Sequence, residues 1–497
     1  MKLRFCSRPL PIMNSKRCFS WMAGLLMLWV SSLPLAADAL QQALLYYNRG
    51  NFAEATQLLE PLRDQWRLEA SGCALLAMCY LNTQNVEAAR QAVTIASRLD
   101  PDDYLVQVAQ GNLYLHLGEY RRAEALFQRL YAVYPQREET RQGCVQAIVG
   151  LSLEAVQHGD FEAAADQADR ALGLQPDNLQ LLSHKISVLR QTERLQELEQ
   201  AYRRYIELRP AGADAHAGLG AILNARGEES RARGYFEKAV RYDTVDPKPY
   251  LELGTWAAAE GELGRARALV QEAVGKAVHM FNSYRMQAAR EMERENTEEA
   301  ERLQRLQSLS DESMRPKRIL EESLSVLTGL YADAEAEALL QVLQRLADWY
   351  SSSTDVRTVL AEQLMAAGYT AQAQTEWSAL VDQYPYYYRA QLGLAECHRR
   401  QGRLTKAALA GRRALDLAPE EPEVYRSLEN IYRQMGKPEV YLQVLEMQIM
   451  KDKYNILLYE QAARAAAAVG DEPQAELFRE RAQMLKEYYK THSPPDE

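Results

Sequence analysis

Turn-forming and small residues recur along this chain at one fixed interval, between apolar stretches with helical periodicity. Gly368, Gly402, Gly436 and Gly470 lie 34 residues apart. Prolines and alanines repeat the interval at Pro101 and Pro135, Pro176 and Pro210, Pro385 and Pro419, and Ala55, Ala89 and Ala123. Because several residue types share one interval, the pattern predicts an array of similar helical units.

Each residue type has a defined place within such a unit. Gly118 follows an apolar stretch and can adopt the left-handed conformation that ends a first helix. Gly111 and Ala123 are small enough for two helices to approach closely where they cross. Phe127 follows Ala123 by four residues and fills the next turn of the same helix face. Pro135 then ends the second helix. The unit is therefore predicted to be a helix-turn-helix pair.

These positions resemble the signature of the tetratricopeptide repeat family, which is Trp-x2-Leu-Gly-x2-Tyr, then Ala-x3-Phe, then Pro. The best match is Gly111-x2-Tyr114 followed by Ala123-x3-Phe127 and Pro135. The resemblance implies an all-α, right-handed superhelical solenoid of about 13 helix-turn-helix repeats. A second match consists of Tyr250, Leu253, Gly254 and Ala266.

The repeat register divides the chain into predicted segments. We expect an N-terminal array at 40–280, degenerate charged repeats at 281–352, a C-terminal array at 353–489 and a polar tail at 490–497. The stretch from Arg285 to Arg318 lacks a turn glycine and is expected to form one long solvated helical hairpin, or else a joint between the arrays. The units are predicted to begin at Ala36, Ala70, Tyr104, Val145, Leu179, Ala213, Pro247, Phe281, Leu320, Thr354, Tyr388, Pro422 and Ile456.

The N-terminal residues have the three parts of a secretory signal peptide. Basic residues between Lys2 and Arg17 precede the apolar run Trp21 to Val30, and Ala37-Asp38-Ala39 provides an Ala-x-Ala ending. The run is shorter than the ~20 residues that a membrane-spanning helix needs. We expect cleavage after Ala39, which leaves a periplasmic protein without a membrane span; the alternative is an uncleaved anchor.

Composition and charge exclude several classes of protein. Among the 497 residues, 47% are apolar and 25% are charged, which argues against intrinsic disorder. A formal net charge of −10 argues against nucleic acid as a partner, because phosphate contacts need a clustered cationic surface. Signal cleavage would leave four cysteines, which we expect to be small buried side chains: Cys73, Cys79, Cys144 and Cys397.

No catalytic or metal-binding motif occurs in the sequence. A phosphate-binding loop, a zinc-protease helix and a nucleophile elbow are all missing. The seven histidines are scattered and place no ligand pair on one helical face. We therefore expect a protein that is not an enzyme and uses no metal or cofactor.

The family resemblance implies a concave groove lined by the first helix of each unit, at unit positions two, five, nine, twelve and thirteen. Candidate ligand-binding residues in early units are Asn112 and His116. In the last units Arg426, Asn430 and Arg433 share one helical face, because their spacing is i, i+4, i+7. With three further arginines of the last units, named below, they predict a cationic strip for an acidic ligand. The alternative is that these arginines pair with glutamates such as Glu396 and Glu429. The other arginines of this set are Arg389, Arg399 and Arg464.

The leading functional hypothesis is a non-enzymatic periplasmic scaffold that binds envelope proteins through an acidic segment and supports assembly or export of a surface component. Two alternatives stay open. The first is an accessory factor of polysaccharide secretion that contacts the polymer through Tyr and Arg, since Tyr384-Pro385-Tyr386-Tyr387-Tyr388 is an unusual aromatic run. The second is a regulator of a separate envelope enzyme. The tyrosine run is otherwise expected to pack against neighbouring helices.

Overall fold

A computed structural model describes residues 33–64, 69–293, 299–332 and 335–491 of the chain. Within these ranges the secondary structure consists of 24 α-helices and contains no strand. The predicted signal peptide covers residues 1–39, of which residues 1–32 lie outside the described part. The chain divides between Ala211 and Gly212 into two compact units.

The first unit consists of ten helices that pack in chain order. They are α1 Leu33–Asn48, α2 Phe52–Asp64, α3 Ala70–Asn82, α4 Val86–Leu99, α5 Tyr104–His116, α6 Tyr120–Val133, α7 Glu138–Gln157, α8 Phe161–Leu174, α9 Leu179–Leu189 and α10 Leu195–Leu208.

The second unit consists of fourteen helices in the described residues, again packed in chain order. They are α11 Ala213–Ala225, α12 Glu229–Arg241, α13 Lys248–Ala259, α14 Leu263–Met292, α15 Glu299–Gly329, α16 Ala336–Trp349, α17 Thr354–Ala366, α18 Thr370–Gln383, α19 Tyr388–Arg400, α20 Leu404–Leu417, α21 Pro422–Gln434, α22 Pro438–Lys451, α23 Ile456–Ala468 and α24 Glu472–Thr491.

In most helix pairs of the described residues, the turn between the two helices contains a residue in the left-handed region. Gly50 and Gly118 have φ of +79° and +73°. Gln84 lies 34 residues from each of them and has φ of +62°, although it carries a Cβ. The sequence interval therefore corresponds to a repeated left-handed turn, and the predicted helix-turn-helix repeat is confirmed.

An aromatic side chain packs between glycines where consecutive repeats meet. Phe127 of α6 is fully buried. A Cβ on Gly111 of α5 would lie 2.6 Å from its Cζ atom, and a Cβ on Gly143 of α7 would lie 2.6 Å from its Cγ atom. Both glycines are therefore needed for three successive helices to close around one ring. The cores consist mainly of such small and aliphatic side chains, which form continuous clusters along each unit.

Helix starts agree with most of the predicted unit starts; they differ by one to three residues at Pro247 and Ala36 and by more at three others. The predictions at Phe281 and Leu320 are wrong as helix starts, because these residues lie inside the 30-residue α14 and the 31-residue α15. Val278 stands in α14 where a proline such as Pro135 would end a second helix, and Pro316 lies inside α15 without ending it, so the second helix of one repeat continues into the first helix of the next. Val145 likewise lies inside α7, which begins seven residues earlier, at Glu138.

The long helices α14 and α15 pack against each other, as expected for a helical hairpin in the charged segment. Arg267 of α14 is tied to the far end of α15. Its Nε and Nη2 atoms donate to the carbonyl oxygen of Leu330 at 3.1 and 2.8 Å, and its guanidinium lies 4.0 Å from the centre of the Tyr331 ring. These contacts fix one end of the pair, while the helix surfaces near Arg285 and Arg302 remain mostly solvated.

The four cysteines expected in the exported chain are buried thiols. The prediction that they behave as small buried side chains is therefore confirmed. Among the described helices, none has both the length and the apolar character that crossing a bilayer requires. The segment bounds 40–280, 281–352, 353–489 and 490–497 stay predictions.

Candidate functional site

A cleft of about 620 Å³ crosses three consecutive first helices of the second unit, α17, α19 and α21. We call it the C-terminal cleft. Apolar contacts come from Met365 and Leu392, and the side chain of Trp377 from α18 forms part of the wall. Its charged lining residues are three glutamates and three arginines: Glu362, Glu396, Glu423, Arg389, Arg399 and Arg400.

One glutamate of the cleft binds two arginines. Arg399 donates from Nε and Nη2 to the two carboxylate oxygens of Glu396, each at 2.7 Å, and Arg400 donates from Nε at 2.9 Å. Arg400 also donates from Nη1 to the carbonyl oxygen of Met365 at 2.7 Å. Burial raises the pKa of Glu396, but the hydrogen bonds from both guanidiniums outweigh burial and hold the pKa below its ordinary value. The two guanidiniums thus share one carboxylate, and this end of the cleft keeps one positive charge in excess.

The other end of the cleft has the opposite balance of charge. Arg389 is its single cation, and its Nε atom lies 3.4 Å from the hydroxyl of Tyr388. That hydroxyl in turn donates to Glu423 at 3.1 Å. Partial removal from solvent raises the pKa of Glu362. The positive charge of Arg389 lowers this pKa, whereas the negative charge of Glu423 raises it further. This end therefore holds two carboxylates near one guanidinium.

The structure brings together only some of the arginines that the sequence predicted. Arg389, Arg399 and Asn430 line the C-terminal cleft, while Arg426, Arg433 and Arg464 are exposed outside its lining. Arg433 donates to the side-chain oxygen of Asn430 at 2.7 Å. The expected cationic strip is balanced by glutamates in the cleft. For Arg399 the alternative interpretation, pairing with Glu396, is the arrangement observed.

Sequence reasoning missed the glutamates that face Arg389. Glu362 occupies the ninth position of the unit that begins at Thr354, and Glu423 occupies the second position of the unit that begins at Pro422. Both positions belong to the groove register, so the register contained the signal.

A second cleft, of about 680 Å³, lies in the first unit, and we call it the N-terminal cleft. It contains both early candidates, Asn112 and His116, and the Nδ1 atom of His116 lies 2.9 Å from the carbonyl oxygen of Asn112. Its apolar residues include Met78 and Val108, both buried. Amide and imidazole groups here border an apolar floor, and Arg137 and Glu139 are charged residues of the same lining.

The tyrosine run divides into packed and exposed side chains. The hydroxyl of Tyr384 donates to the carbonyl oxygen of Ser352 at 3.0 Å, and the hydroxyl of Tyr387 lies 3.0 Å from that of Thr358. Both side chains are half-buried. Tyr386, in contrast, is 86% exposed. Packing against neighbouring repeats therefore accounts for most of the run, and Tyr386 is left on the surface.

Parts of this chain are similar to known proteins. It is 28% identical over 170 residues to the human Protein O-mannosyl-transferase TMTC1, and the aligned part spans 33% of this chain and 18% of that protein. Among solved structures, pilF of Pseudomonas aeruginosa is 17% identical with a TM-score of 0.32, covering 43% of this chain and 94% of its own. A tetratricopeptide repeat protein of Parabacteroides merdae is 15% identical with a TM-score of 0.30, covering 56% of this chain and 98% of its own.

The sequence model of the tetratricopeptide repeat matches five stretches of the chain: 40–104, 74–138, 149–213, 198–247 and 358–422. Together they cover more than half of its length. The matched stretches include the repeats around Phe127, and the last of them includes α17, α18 and α19 of the C-terminal cleft. With its helical pairs, left-handed turns and repeated register, this chain belongs to the tetratricopeptide repeat family.

Proposed function

We propose that this protein is a non-catalytic scaffold that holds an extended segment of a partner protein in the C-terminal cleft. Repeats of this family act as scaffolds for protein–protein interaction, and adjacent repeats present their first helices side by side. Neighbouring packed helices lie 8–10 Å apart, so three of them span about 20 Å. At roughly 3.3 Å per residue this length accommodates about six residues of extended chain.

The observation that carries the proposal is that one cleft runs across α17, α19 and α21 and is lined by both charged and apolar side chains. Apolar contacts supply affinity by removing surface from water, whereas fixed charges select the partner and its register. The human relative is named an O-mannosyl-transferase, and 18% of its length aligns with this chain. We therefore propose binding, and not sugar transfer, for this chain.

We further propose that the protein acts in the periplasm of a bacterial envelope and supports assembly or export of a surface component. The signal-like residues up to Ala39 support this location. N-terminal sequencing of the protein purified from its source cells tests it. Cleavage after Ala39 and recovery in the periplasmic fraction are expected; an intact N-terminus in the cytoplasmic fraction would contradict the location.

Co-purification from a membrane extract tests the scaffold function. Ser427 of α21 lines the C-terminal cleft, and Ser427→Trp fills the cleft without changing charge. Thr375→Trp is the matched control, because Thr375 is exposed on the second helix α18 and lies outside the lining. Partner proteins should co-purify with the wild type and Thr375→Trp and be lost with Ser427→Trp. Equal recovery with all three would discard the cleft as the binding site.

A second candidate function, direct contact with a polysaccharide, is supported by the 86% exposed ring of Tyr386. Flat aromatic faces on a protein surface supply contact area at low conformational cost, as at other recognition surfaces. Retention of envelope polysaccharide by the immobilised protein, abolished in Tyr386→Ala, would favour this function. Recovery of protein partners alone favours the scaffold. Recovery of one envelope enzyme whose rate the protein changes would favour the regulator.

A further inference from the structure

The N-terminal cleft lies across four consecutive first helices of the first unit, α1, α3, α5 and α7. Its floor contains buried aliphatic side chains such as Met78 and Val108. Two of its lining residues are permanently charged, Arg137 and Glu139, and both meet Tyr104. The Arg137 guanidinium lies 5.3 Å from the centre of the Tyr104 ring, and the Tyr104 hydroxyl donates to Glu139 at 3.5 Å. These two charges cancel, so the lining is neutral although the chain carries a formal net charge of −10.

One position of the cleft carries a polar side chain in three consecutive repeats. Asn48, Asn82 and His116 lie 34 residues apart, and all three are exposed and line the cleft. Asn82 donates from Nδ2 to the carbonyl oxygen of Met78 at 2.8 Å, and the Nδ1 atom of His116 lies 2.9 Å from the carbonyl oxygen of Asn112. Each carbonyl belongs to the residue four positions earlier. The same contact therefore orients the polar side chain in two successive repeats.

These contacts determine which atom each side chain presents to the cleft. A carbonyl oxygen only accepts hydrogen bonds, so Nδ1 of the neutral His116 ring carries the proton and Nε2 is an acceptor. The amide of Asn82 also hydrogen-bonds the Tyr47 hydroxyl, which opposes the rise in the pKa of Tyr47 that burial causes. In the described residues no hydrogen bond reaches Oδ1 of Asn82 or Nε2 of His116. The cleft therefore presents two oriented acceptors beside an apolar floor.

The spacing of the two acceptors matches the repeat of an extended polypeptide. They lie on α3 and α5, which pack against each other, and packed helices are roughly 8–10 Å apart. A chain in the polyproline II conformation has three residues per turn and returns to the same side about every 9 Å. Its N–H groups make no internal hydrogen bonds. Two N–H groups three residues apart can therefore reach both acceptors at once.

We propose that the N-terminal cleft binds an extended, uncharged polypeptide segment through its main chain. Two N–H groups of the segment, three residues apart, donate to Oδ1 of Asn82 and Nε2 of His116, while apolar side chains of the segment pack against Met78 and Val108. A charged side chain on this floor would lose its water without compensation, and so would the hydroxyls of a sugar polymer. The inference goes beyond the scaffold function of the C-terminal cleft, because it assigns a second site with its own chemistry.

Selection from a random dodecapeptide library displayed on phage tests this site. The full-length variant Ser427→Trp serves as bait, because the C-terminal cleft is filled in it. Selected peptides should be enriched in leucine, isoleucine, valine and methionine and show no enrichment of charged residues. A labelled peptide from the selection should bind Asn82→Leu/His116→Leu about twentyfold more weakly than the wild type, because two hydrogen bonds are lost.

Two further variants separate the acceptors from a general effect of substitution. His116→Asn introduces the residue that occupies this position in the two preceding repeats, and its side-chain oxygen replaces Nε2 as the acceptor. It should keep the affinity within about twofold. The control Gln128→Leu/His158→Leu replaces an exposed amide and an exposed imidazole outside the cleft lining and should bind as the wild type does.

Peptides with one ester in place of one peptide bond test main-chain recognition, since each ester removes a single N–H and keeps every side chain. Esters at two positions three residues apart should each weaken binding to the wild type about fivefold. Neither should weaken binding to Asn82→Leu/His116→Leu any further. Insensitivity to every ester, selection of charged peptides, an equal loss in the control variant or no selected peptide would each overturn the inference.

Retention of envelope polysaccharide in place of peptide, lost in Asn82→Leu/His116→Leu, would also overturn it. Failure of these tests leaves the scaffold function of the C-terminal cleft untouched. If peptides bind the N-terminal cleft as described but cellular partners are recovered equally with Ser427→Trp, the C-terminal cleft fails as the scaffold site and this inference stands.

Discussion

Trp377 occupies the space beside Gly393, so that a Cβ on Gly393 would lie 2.6 Å from the indole nitrogen. The tryptophan belongs to the second helix of one repeat, and the glycine belongs to the first helix of the next. Trp377 is 3% exposed and part of the core. One residue without a side chain therefore determines how closely these two repeats stack next to the C-terminal cleft.

We expect Gly393→Ala to lower the free energy of unfolding of the second unit by about 1–3 kcal/mol, because the added methyl overpacks the ring. Urea unfolding followed by tryptophan fluorescence measures the change. Gly234→Ala is the matched control, since Gly234 lies in helix α12 of the same unit and a Cβ there meets nothing within 4 Å. The control should be neutral or stabilising by up to ~1 kcal/mol. Equal stability of the two variants would contradict the packing.

The turn at Gln84 offers a test of the repeat geometry. Gln84 has φ of +62°, where an L side chain is unfavourable, while Gly50 and Gly118 hold the equivalent places in the adjacent repeats. We expect Gln84→Gly to stabilise the first unit by about 1 kcal/mol and Gly118→Gln to destabilise it by a similar amount. Amide hydrogen exchange in α3 and α4 reports the first change, and exchange in α5 and α6 reports the second. A loss of protection in Gln84→Gly would show that the turn is not left-handed.

The repeat fold could be predicted from the sequence because its signals are local. A glycine, a proline and small residues each act within one turn or one helix crossing, and helix starts such as Ala70, Tyr104 and Thr354 agree with the register. A helical hairpin was predicted for the charged segment, but the bounds of the long helices α14 and α15 were not, because the repeat register does not show where two consecutive helices join into one. Each of these helices is uninterrupted where the repeat pattern would place a turn between two repeats.

The charge balance of the cleft could not be read from the sequence in the same way. The neighbours Glu396 and Arg399 are three residues apart, and their pairing is a local possibility that the sequence did contain. The meeting of Arg389 with Glu362 and Glu423 brings together residues from three repeats. Which side chains share a cleft depends on how the repeats stack, which composition and spacing do not specify.

Thiol reactivity tests the burial of the cysteines. Burial raises the pKa of Cys79, Cys144 and Cys397 to about 11. The reactive thiolate is therefore scarce at pH 8, and access is blocked as well. We expect little modification of these thiols by iodoacetamide in the folded protein and complete modification in guanidinium chloride, measured residue by residue with peptide mass spectrometry. Equal rates in both conditions would contradict their burial.

The pH dependence of the first unit should reflect His184. Burial lowers the pKa of this imidazole below its ordinary value of 6.5, and its Nε2 atom lies 2.8 Å from the hydroxyl of buried Ser152. The unfolded chain then takes up the proton at a higher pH than the folded chain. Stability is consequently lost as the pH falls below about 6.5.

The histidine titration can be followed by NMR with selectively labelled histidine. The resonance that disappears in His184→Gln should titrate with a midpoint below 6.5. His184→Gln should also lose less stability than the wild type between pH 7 and pH 5, while the same change at exposed His158 serves as the control. A midpoint at or above 6.5 would contradict the burial of this side chain.

Photo-crosslinking inside the source cells tests most directly whether the C-terminal cleft holds a partner. A photoreactive amino acid replaces Ser427 within the cleft or Thr375 on the outer helix α18, and crosslinked proteins are identified by mass spectrometry. The account predicts a specific envelope protein crosslinked at Ser427 and no such product at Thr375. Crosslinks at Thr375 with none at Ser427 would contradict it.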